Sequence, residues 1–282
     1  MGIERVEYKP WEGERNGRLH RIFAMVKKVF KHKTKSKGFL IFLIIGIVLV
    51  HVFPIITNSL TPHSMLTPEM MIAQGMGLEE EGGYLTGLFL LFTLLLAAVV
   101  CSDLVSQDLK DNSFILYFSR PIKAEDYVLG KVLGSFTILG LFCFLMPIIF
   151  CLVVIGTQSG GDYLASLEVM GSTVIVGALT FFVFGFYGTM ISSLTERRSF
   201  AGVGTFVSFF VLGIVSDIFS DLGANWEVLD PFNVLTYAYR LIYGYDLPSG
   251  VDPALFWLAL ALLLVVPPIL LYYRIHRRAF GR

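Results

Sequence analysis

Charged residues are scarce in this chain. Asp, Glu, Lys and Arg make up only 16% of its 282 residues, whereas hydrophobic residues make up 55% and the mean hydropathy is +0.71. A soluble domain of this length needs a much larger polar share to cover its surface. The composition therefore excludes an ordinary soluble protein and indicates an integral membrane protein.

Cysteine is also rare, and motifs that carry chemistry are missing. The three cysteines, Cys101, Cys143 and Cys151, lie in or beside apolar stretches and lack the Cys-x-x-Cys spacing of a zinc or redox site. The sequence contains no G-x-x-x-x-G-K-[ST] phosphate loop, no zinc-protease motif and no serine-hydrolase motif. We therefore expect no metal site, no cofactor and no catalytic activity in this chain, and we expect a partner to supply its energy source.

The apolar stretches hold almost no ionisable side chains. Proton relays and ion-coupled transporters depend on paired charges inside their membrane spans, and this chain lacks such pairs. His51 is the one ionisable side chain well inside an apolar stretch. Two interpretations stay open for His51, a polar residue that faces neighbouring helices and a contact to a transported substrate.

Six apolar stretches are each long enough to cross a bilayer as a helix, which takes about 20 residues. They cover residues 39–57, 84–102, 127–155, 171–194, 200–220 and 254–273. Pro147 predicts a kink in the third stretch, and Pro267 with Pro268 predicts a bend or break in the sixth. The sequence thus predicts an all-α integral membrane protein with a six-helix transmembrane domain over residues 39–273.

Lysine and arginine are divided unequally between the two sides of this domain. The N-terminal segment 1–38 holds 11 of the 22, residues 103–131 hold 4, residues 195–199 hold 2 and the tail 274–282 holds 4. The loops on the opposite side contain only Arg240. Because cytoplasmic loops of membrane proteins carry an excess of positive charge, we predict that both termini are cytoplasmic.

Two segments that flank the spans are expected to lie at the membrane surface. From Arg18 onward, apolar residues recur at intervals of three and four between lysines and arginines, which predicts a basic amphipathic helix in the headgroup layer. The tyrosine-rich segment around Arg240 predicts interfacial or re-entrant helices before the sixth span. Membrane lipids are therefore expected partners, and nucleic acid is not.

The charged segment between the second and third spans follows an ordered plan. Residues 103–118 predict an amphipathic helix, Ser119-Arg120-Pro121 predicts a rigid stop, and acids in the next turn predict a new helix start. Such a plan is typical of a rigid segment at the membrane surface to which a partner protein binds and applies force.

This segment resembles that of the type-2 ABC exporter permeases, which carry the pattern S-R-P-I-x-x-x-x-Y-x-x-G-K. The matching residues here are Ser119, Arg120, Pro121, Ile122, Tyr127, Gly130 and Lys131. The resemblance implies a coupling helix that docks in a groove of a separate ATPase subunit, which would bind ATP and Mg²⁺. It also implies a second permease chain, identical or homologous, and a prokaryotic cell membrane as the location.

The candidate functional residues form three groups. For ATPase coupling we select Gln107, Asp108, Asp111, Phe114, Arg120, Pro121 and Lys123, and Tyr127, Gly130 and Lys131 complete the family motif. The aromatic, weakly polar spans favour export of an amphipathic or lipid-like molecule, with a hypothetical pathway through His51, Phe182, Phe186 and Arg240. Helix packing explains the phenylalanines equally well, and anchoring to lipid phosphate explains the arginine.

Two alternative functions stay open. The outer loop 56–83 is rich in methionine and contains His63, and thioether and imidazole groups are ligands for copper(I), although methionine is also a common packing residue. The chain would then be a membrane scaffold or assembly factor for an outer-face, copper-binding protein, with ATPase coupling but no conventional cargo. A membrane-embedded enzyme acting on lipid is the other alternative, and the sequence offers no catalytic residues for it.

Overall fold

A computed structural model describes residues 17–53, 56, 84–119, 122–157, 163–221 and 226–280. The regular structure of these residues is helical throughout. The α-helices are α1 (Arg18–Thr34), α2 (Lys37–Ile47), α3 (Tyr84–Cys101), α4 (Ser106–Lys110), α5 (Phe114–Phe118), α6 (Ala124–Gly140), α7 (Met146–Thr157), α8 (Tyr163–Leu194), α9 (Arg198–Asp221), α10 (Pro231–Ile242) and α11 (Pro253–Phe280). A π-helical turn (Val48–Val52) extends α2, a second (Leu141–Leu145) joins α6 to α7, and a 3-10 turn (Glu227–Leu229) precedes α10.

Several of these helices are long and apolar enough to span a membrane. Within the described residues five candidate spans are found, namely Gly87–Lys110, Ala124–Val153, Leu167–Leu194, Arg198–Ser220 and Pro253–Ala279. A sixth is added if α1 and Lys37–Val52, which meet at 87°, form one bent span. The predicted all-helical, multi-pass fold is therefore confirmed, while most of residues 54–57 at the end of the first predicted span lie outside the described part.

A π-helical turn lies just before Pro147, where the sequence predicted a kink. A proline ring clashes with the carbonyl four residues earlier, here that of Cys143, which lies within the turn Leu141–Leu145. The displaced carbonyl lies against α8, where a Cβ added to Gly177 would be 2.5 Å from the Cys143 oxygen. Gly177 therefore accommodates the irregular turn in the neighbouring helix.

Of the bend or break predicted in the last span, the break is wrong. Helix α11 runs from Pro253 to Phe280 without interruption and contains both Pro267 and Pro268. Membrane helices tolerate proline because local adjustments and neighbouring helices satisfy the freed carbonyl groups. The expectation of a break rested on the general rule that a proline inside a helix removes one backbone hydrogen bond and clashes with the preceding turn.

Helix α3 lies at the centre of the bundle. It contacts α6, α8 and α9, and its side chains at Leu94, Leu96 and Ala97 are fully buried. Within their most apolar windows, α3 is 72% buried whereas α9 and α11 are each only 22% buried. The two outer helices therefore present broad apolar faces that a bilayer or a second membrane subunit would cover.

One end of the bundle gathers most of the described lysines and arginines, and we call it the basic end. Here α1, residues 102–119, the turn between α8 and α9 and the last turns of α11 lie together. Arg274 of α11 donates from Nε to the Ser193 carbonyl at 3.2 Å, and Lys33 of α1 pairs with Asp103 at 2.7 Å.

At the opposite end, α10 packs on α8 through two hydroxyl pairs. Tyr239 Oη lies 2.6 Å from Thr180 Oγ1, and Tyr243 Oη lies 2.7 Å from Thr173 Oγ1. Helix α10 thus lies in the segment before the last span in which the sequence predicted interfacial or re-entrant helices. The rings of Tyr239 and Tyr243 face α8 rather than the outside of the bundle.

Candidate functional site

The segment between α3 and α6 forms two short helices instead of the single helix predicted over residues 103–118. Helix α4 ends at Lys110, and Asn112, two residues later, has a φ of 51°, in the left-handed region that asparagine tolerates better than most residues. The Asn112 N–H donates to Leu109 O at 3.3 Å and the Ser113 N–H to Asp108 O at 2.9 Å, which is the Schellman pattern of a helix C-terminus. The chain thereby turns and starts α5.

Asp108 of α4 points inward. Its Oδ2 accepts a hydrogen bond from Tyr127 Oη at 2.6 Å. The same oxygen forms an ion pair with Lys131 Nζ, also at 2.6 Å. The Asp108 side chain is 13% exposed and that of Lys131 is 11% exposed. Asp108 is therefore not the surface charge that the sequence analysis assumed, and it joins the loop to α6.

Tyr127 and Lys131 are four residues apart, so they share one face of α6. The fully buried Tyr127 ring contacts the rings of Phe114, Tyr117 and Phe118 at 5.3, 5.2 and 6.1 Å between centroids. Phe114, expected to be an anchor for a partner, instead fills the protein's own core. Burial raises the pKa of the Tyr117 hydroxyl, and the nearby Asp108 carboxylate raises it further, so this phenol stays protonated at physiological pH.

The outer surface of α5 is apolar. Ile115 is 74% exposed and Leu116 is 71% exposed, whereas Phe114 is buried and Tyr117 and Phe118 are half-buried. Of the other selected residues, Gln107, Asp111 and Lys123 are exposed, and the first two line one cleft together with Leu116. Arg120 and Pro121 lie outside the described residues. Neither Ile115 nor Leu116 was selected from the sequence as a coupling residue.

A single serine of α8 holds the start of the segment. Ser192 Oγ accepts hydrogen bonds from the Val105 N–H at 3.2 Å and the Ser106 N–H at 3.1 Å, and it donates to Ser102 O at 3.1 Å. These backbone groups lie where α3 ends and α4 begins, so they lack partners within a helix. The sequence analysis missed Ser192 because one serine near the end of an apolar helix carries no pattern.

Helix α1 crosses α6 at two glycines. A Cβ added to Gly130 would lie 2.6 Å from Met25 Cε, and one added to Gly134 would lie 2.8 Å from Val29 Cβ. Arg18 also pairs with Asp126 at 2.6 Å at the start of α6. The glycines are spaced as in the G-x-x-x-G pattern that allows membrane helices to approach closely.

We expect Gly134→Leu to lower the thermal stability of the protein by about 1–3 kcal/mol, the usual penalty for overpacking. The β-branched Val29 has little freedom to rotate away from a new side chain, so α1 must shift. The midpoint of thermal unfolding in detergent, followed by tryptophan fluorescence, measures the effect. Gly140→Leu in the same helix is the matched control, because a Cβ there meets nothing within 4 Å. Equal midpoints for the two variants would contradict the close contact.

The hypothetical pathway residues do not form one site. His51 is buried in the π-helical turn of the first apolar helix, with its ring centroid 4.7 Å from that of Phe142. Phe182 and Phe186 of α8 contact each other at 4.6 Å and surround Phe136. Arg240 lies on α10, where its Nε donates to the Asp246 carbonyl at 3.3 Å. The four residues thus lie in three separate surroundings.

Within the part of the chain that the structure describes, no three His, Cys, Asp or Glu side chains lie close enough together to hold a metal ion. The methionine-rich loop with His63, on which the copper hypothesis rests, lies outside the described residues.

The chain was compared with known proteins. The family model described as ABC-2 family transporter protein matches residues 21–279. No curated protein matches the chain. The matched range includes most of α1, the segment between α3 and α6 and every candidate span, so this chain belongs to the ABC-2 family of transporter permeases.

Proposed function

We propose that this chain is the membrane-spanning subunit of an ATP-driven exporter in a prokaryotic cell membrane, driven by a separate ATPase subunit through residues 103–131. In this proposal the basic end and both termini are cytoplasmic, as the excess of lysine and arginine there favours. Helix α1 lies along the membrane surface, which its 87° angle to the following helix supports.

The observation that carries the proposal is the exposed Ile115–Leu116 pair on α5. Adjacent large apolar side chains that are more than 70% exposed are costly in water and are typical of sites that a partner covers. They lie at the basic end, surrounded by polar side chains that would form the rim of an interface. This pair is therefore proposed to enter the groove of the ATPase.

The contacts behind this pair make the segment stiff. Asp108 joins it to α6, Ser192 joins it to α8, and the rings of Phe114 and Phe118 pack on Tyr127. Force applied to α5 therefore reaches two membrane helices through short, directed bonds. ATP-driven closure of the ATPases would push this segment and move the helices between inward-facing and outward-facing states.

The cargo is proposed to be amphipathic or lipid-like. Phe182 and Phe186 are half-buried, so each ring leaves part of its surface for another molecule. A second permease chain, identical or homologous, would complete the pathway against apolar faces that α9 and α11 leave uncovered.

The test is affinity purification of the chain, gently solubilised from native membranes, with mass spectrometry of stoichiometric partners. We expect a soluble ATPase with a phosphate-binding loop, and ATP turnover in the isolated complex. Recovery of outer-face proteins without such an ATPase would overturn the proposal and favour the scaffold function. A second permease sequence in the complex would distinguish a heterodimer from a homodimer.

A further inference from the structure

A polar cavity of about 390 Å³ lies at the elbow between α1 and α2. It is bounded by the end of α1 and the start of α2, by the end of α3, and by the first residue of α9. The lining residues are His32, Lys33, Lys35, Ser36, Phe39, Val99, Asp103 and Arg198. Its volume is within the range of small-ligand sites.

The buried acid of this cavity is already neutralised. Asp103 Oδ1 pairs with Lys33 Nζ at 2.7 Å, and each of the two side chains is only 4% exposed. Lys33 Nζ also donates to the Val99 carbonyl at 2.8 Å. This pair therefore adds no net charge to the cavity.

Two further cations keep donors for a ligand. Arg198 lies 3.8 Å from Asp103 Oδ2 and is 62% exposed, and that distance is too long for a hydrogen bond. Lys35 is exposed and forms no ion pair with any residue that the structure describes. Lys33, Lys35 and Arg198 together outnumber Asp103 in the lining by two positive charges, so the cavity favours an anion.

The remaining walls are apolar. Phe39 begins the first apolar helix and is buried, while Val99 lies near the end of α3. Both helices continue from the cavity into the apolar bundle. A ligand with an anionic head and an apolar body fits both walls better than a small free anion does.

We propose that this elbow cavity binds the headgroup of an anionic phospholipid. Arg198 and Lys35 donate to the phosphate oxygens, and the acyl chains leave along Phe39 and Val99. The inference uses the proposed position of the basic end at the headgroup layer. A bound lipid would connect the elbow of α1 and α2 to the start of α9, in addition to the approach of Lys33 and Arg198 to Asp103.

The experiment is a lipid titration of the delipidated, purified chain, read by native mass spectrometry. Phosphatidylglycerol and phosphatidylcholine are the probes. We expect one phosphatidylglycerol to bind the wild-type chain selectively, and Lys35→Gln/Arg198→Gln to weaken that binding roughly thirtyfold, as expected for two surface cations. Lys27→Gln/Lys31→Gln removes the same charge from exposed α1 positions outside the cavity and should keep the selective binding.

Several outcomes would overturn the lipid site. Equal weakening by both double variants would show general attraction to a basic helix. Equal binding of phosphatidylglycerol and phosphatidylcholine by the wild-type chain would show that the cavity does not select an anionic headgroup. Displacement of phosphatidylglycerol by an equal concentration of inorganic phosphate would show that the cavity prefers a free anion. The titration needs no ATPase, so its result is independent of the partner proposed above.

Discussion

Asp108→Leu is expected to destabilise the folded protein by about 3–5 kcal/mol, the usual effect of removing one partner from a buried ion pair. The substitution leaves the Lys131 ammonium buried without its carboxylate and removes the acceptor of the Tyr127 hydroxyl. Unfolding in mixed micelles with increasing SDS, followed by tryptophan fluorescence, gives the change in free energy. Asp111→Leu, the same substitution at an exposed position of the segment, is the matched control and should change stability little.

A second substitution separates the buried charge from the lost packing. Adding Lys131→Met to Asp108→Leu should recover most of the lost stability, because a buried ion pair replaced by apolar residues is often neutral or stabilising. The coupling free energy from the double-mutant cycle then measures the pair itself. Independent, additive effects of the two substitutions would show that the ion pair does not connect the segment to α6.

This result also bears on function. Because Asp108 is bonded inside the protein, its variants report on the stiffness of the segment and not on contact with an ATPase. A double variant that is stable but transports poorly would show that the directed bonds to α6 transmit force. One that transports normally would assign that task to the contacts at Ser192.

The succession of membrane helices was predictable because hydropathy is local along the chain. The apolar stretches around α3, α6, α8, α9 and α11 needed no knowledge of their neighbours, and α1 followed from its three- and four-residue periodicity. The four-residue spacing of Gly130 and Gly134, which contact α1, also indicated a close helix contact. The uninterrupted α11 was not predicted, because the effect of its prolines depends on the surrounding helices.

The interior of the candidate site was harder to predict. The inward turn of Asp108 depends on the left-handed Asn112 and on two residues of another helix, the nearer of them 19 positions away. Because Tyr127 and Lys131 share one face of α6, the sequence indicated that they have a common acidic partner. It did not indicate which of the several acids before them in the chain is that partner. Which side chains of α5 stay outside was equally undetermined, since the amphipathic pattern over residues 103–118 assumed one continuous helix.

The exposed side of α5 gives the prediction with the largest functional effect. Ile115→Asp/Leu116→Asp should abolish recovery of the ATPase with the purified permease, a loss of roughly tenfold or more, because charges at the centre of an apolar interface remain buried and unpaired. Thermal stability should change little, since both side chains are more than 70% exposed in the isolated chain. Quantitative mass spectrometry of the purified complexes measures the recovery.

The control is Leu194→Asp, which places one negative charge, half of what the α5 variant adds, on an exposed leucine in the last turn of α8, also at the basic end. If α5 is the docking element, this variant keeps the ATPase while the α5 variant loses it at an unchanged unfolding midpoint. Loss of the ATPase from both variants would mean that any added negative charge at the basic end prevents assembly. Retention by the α5 variant would move the docking surface away from Ile115 and Leu116, and the stiff segment behind them would then need another role.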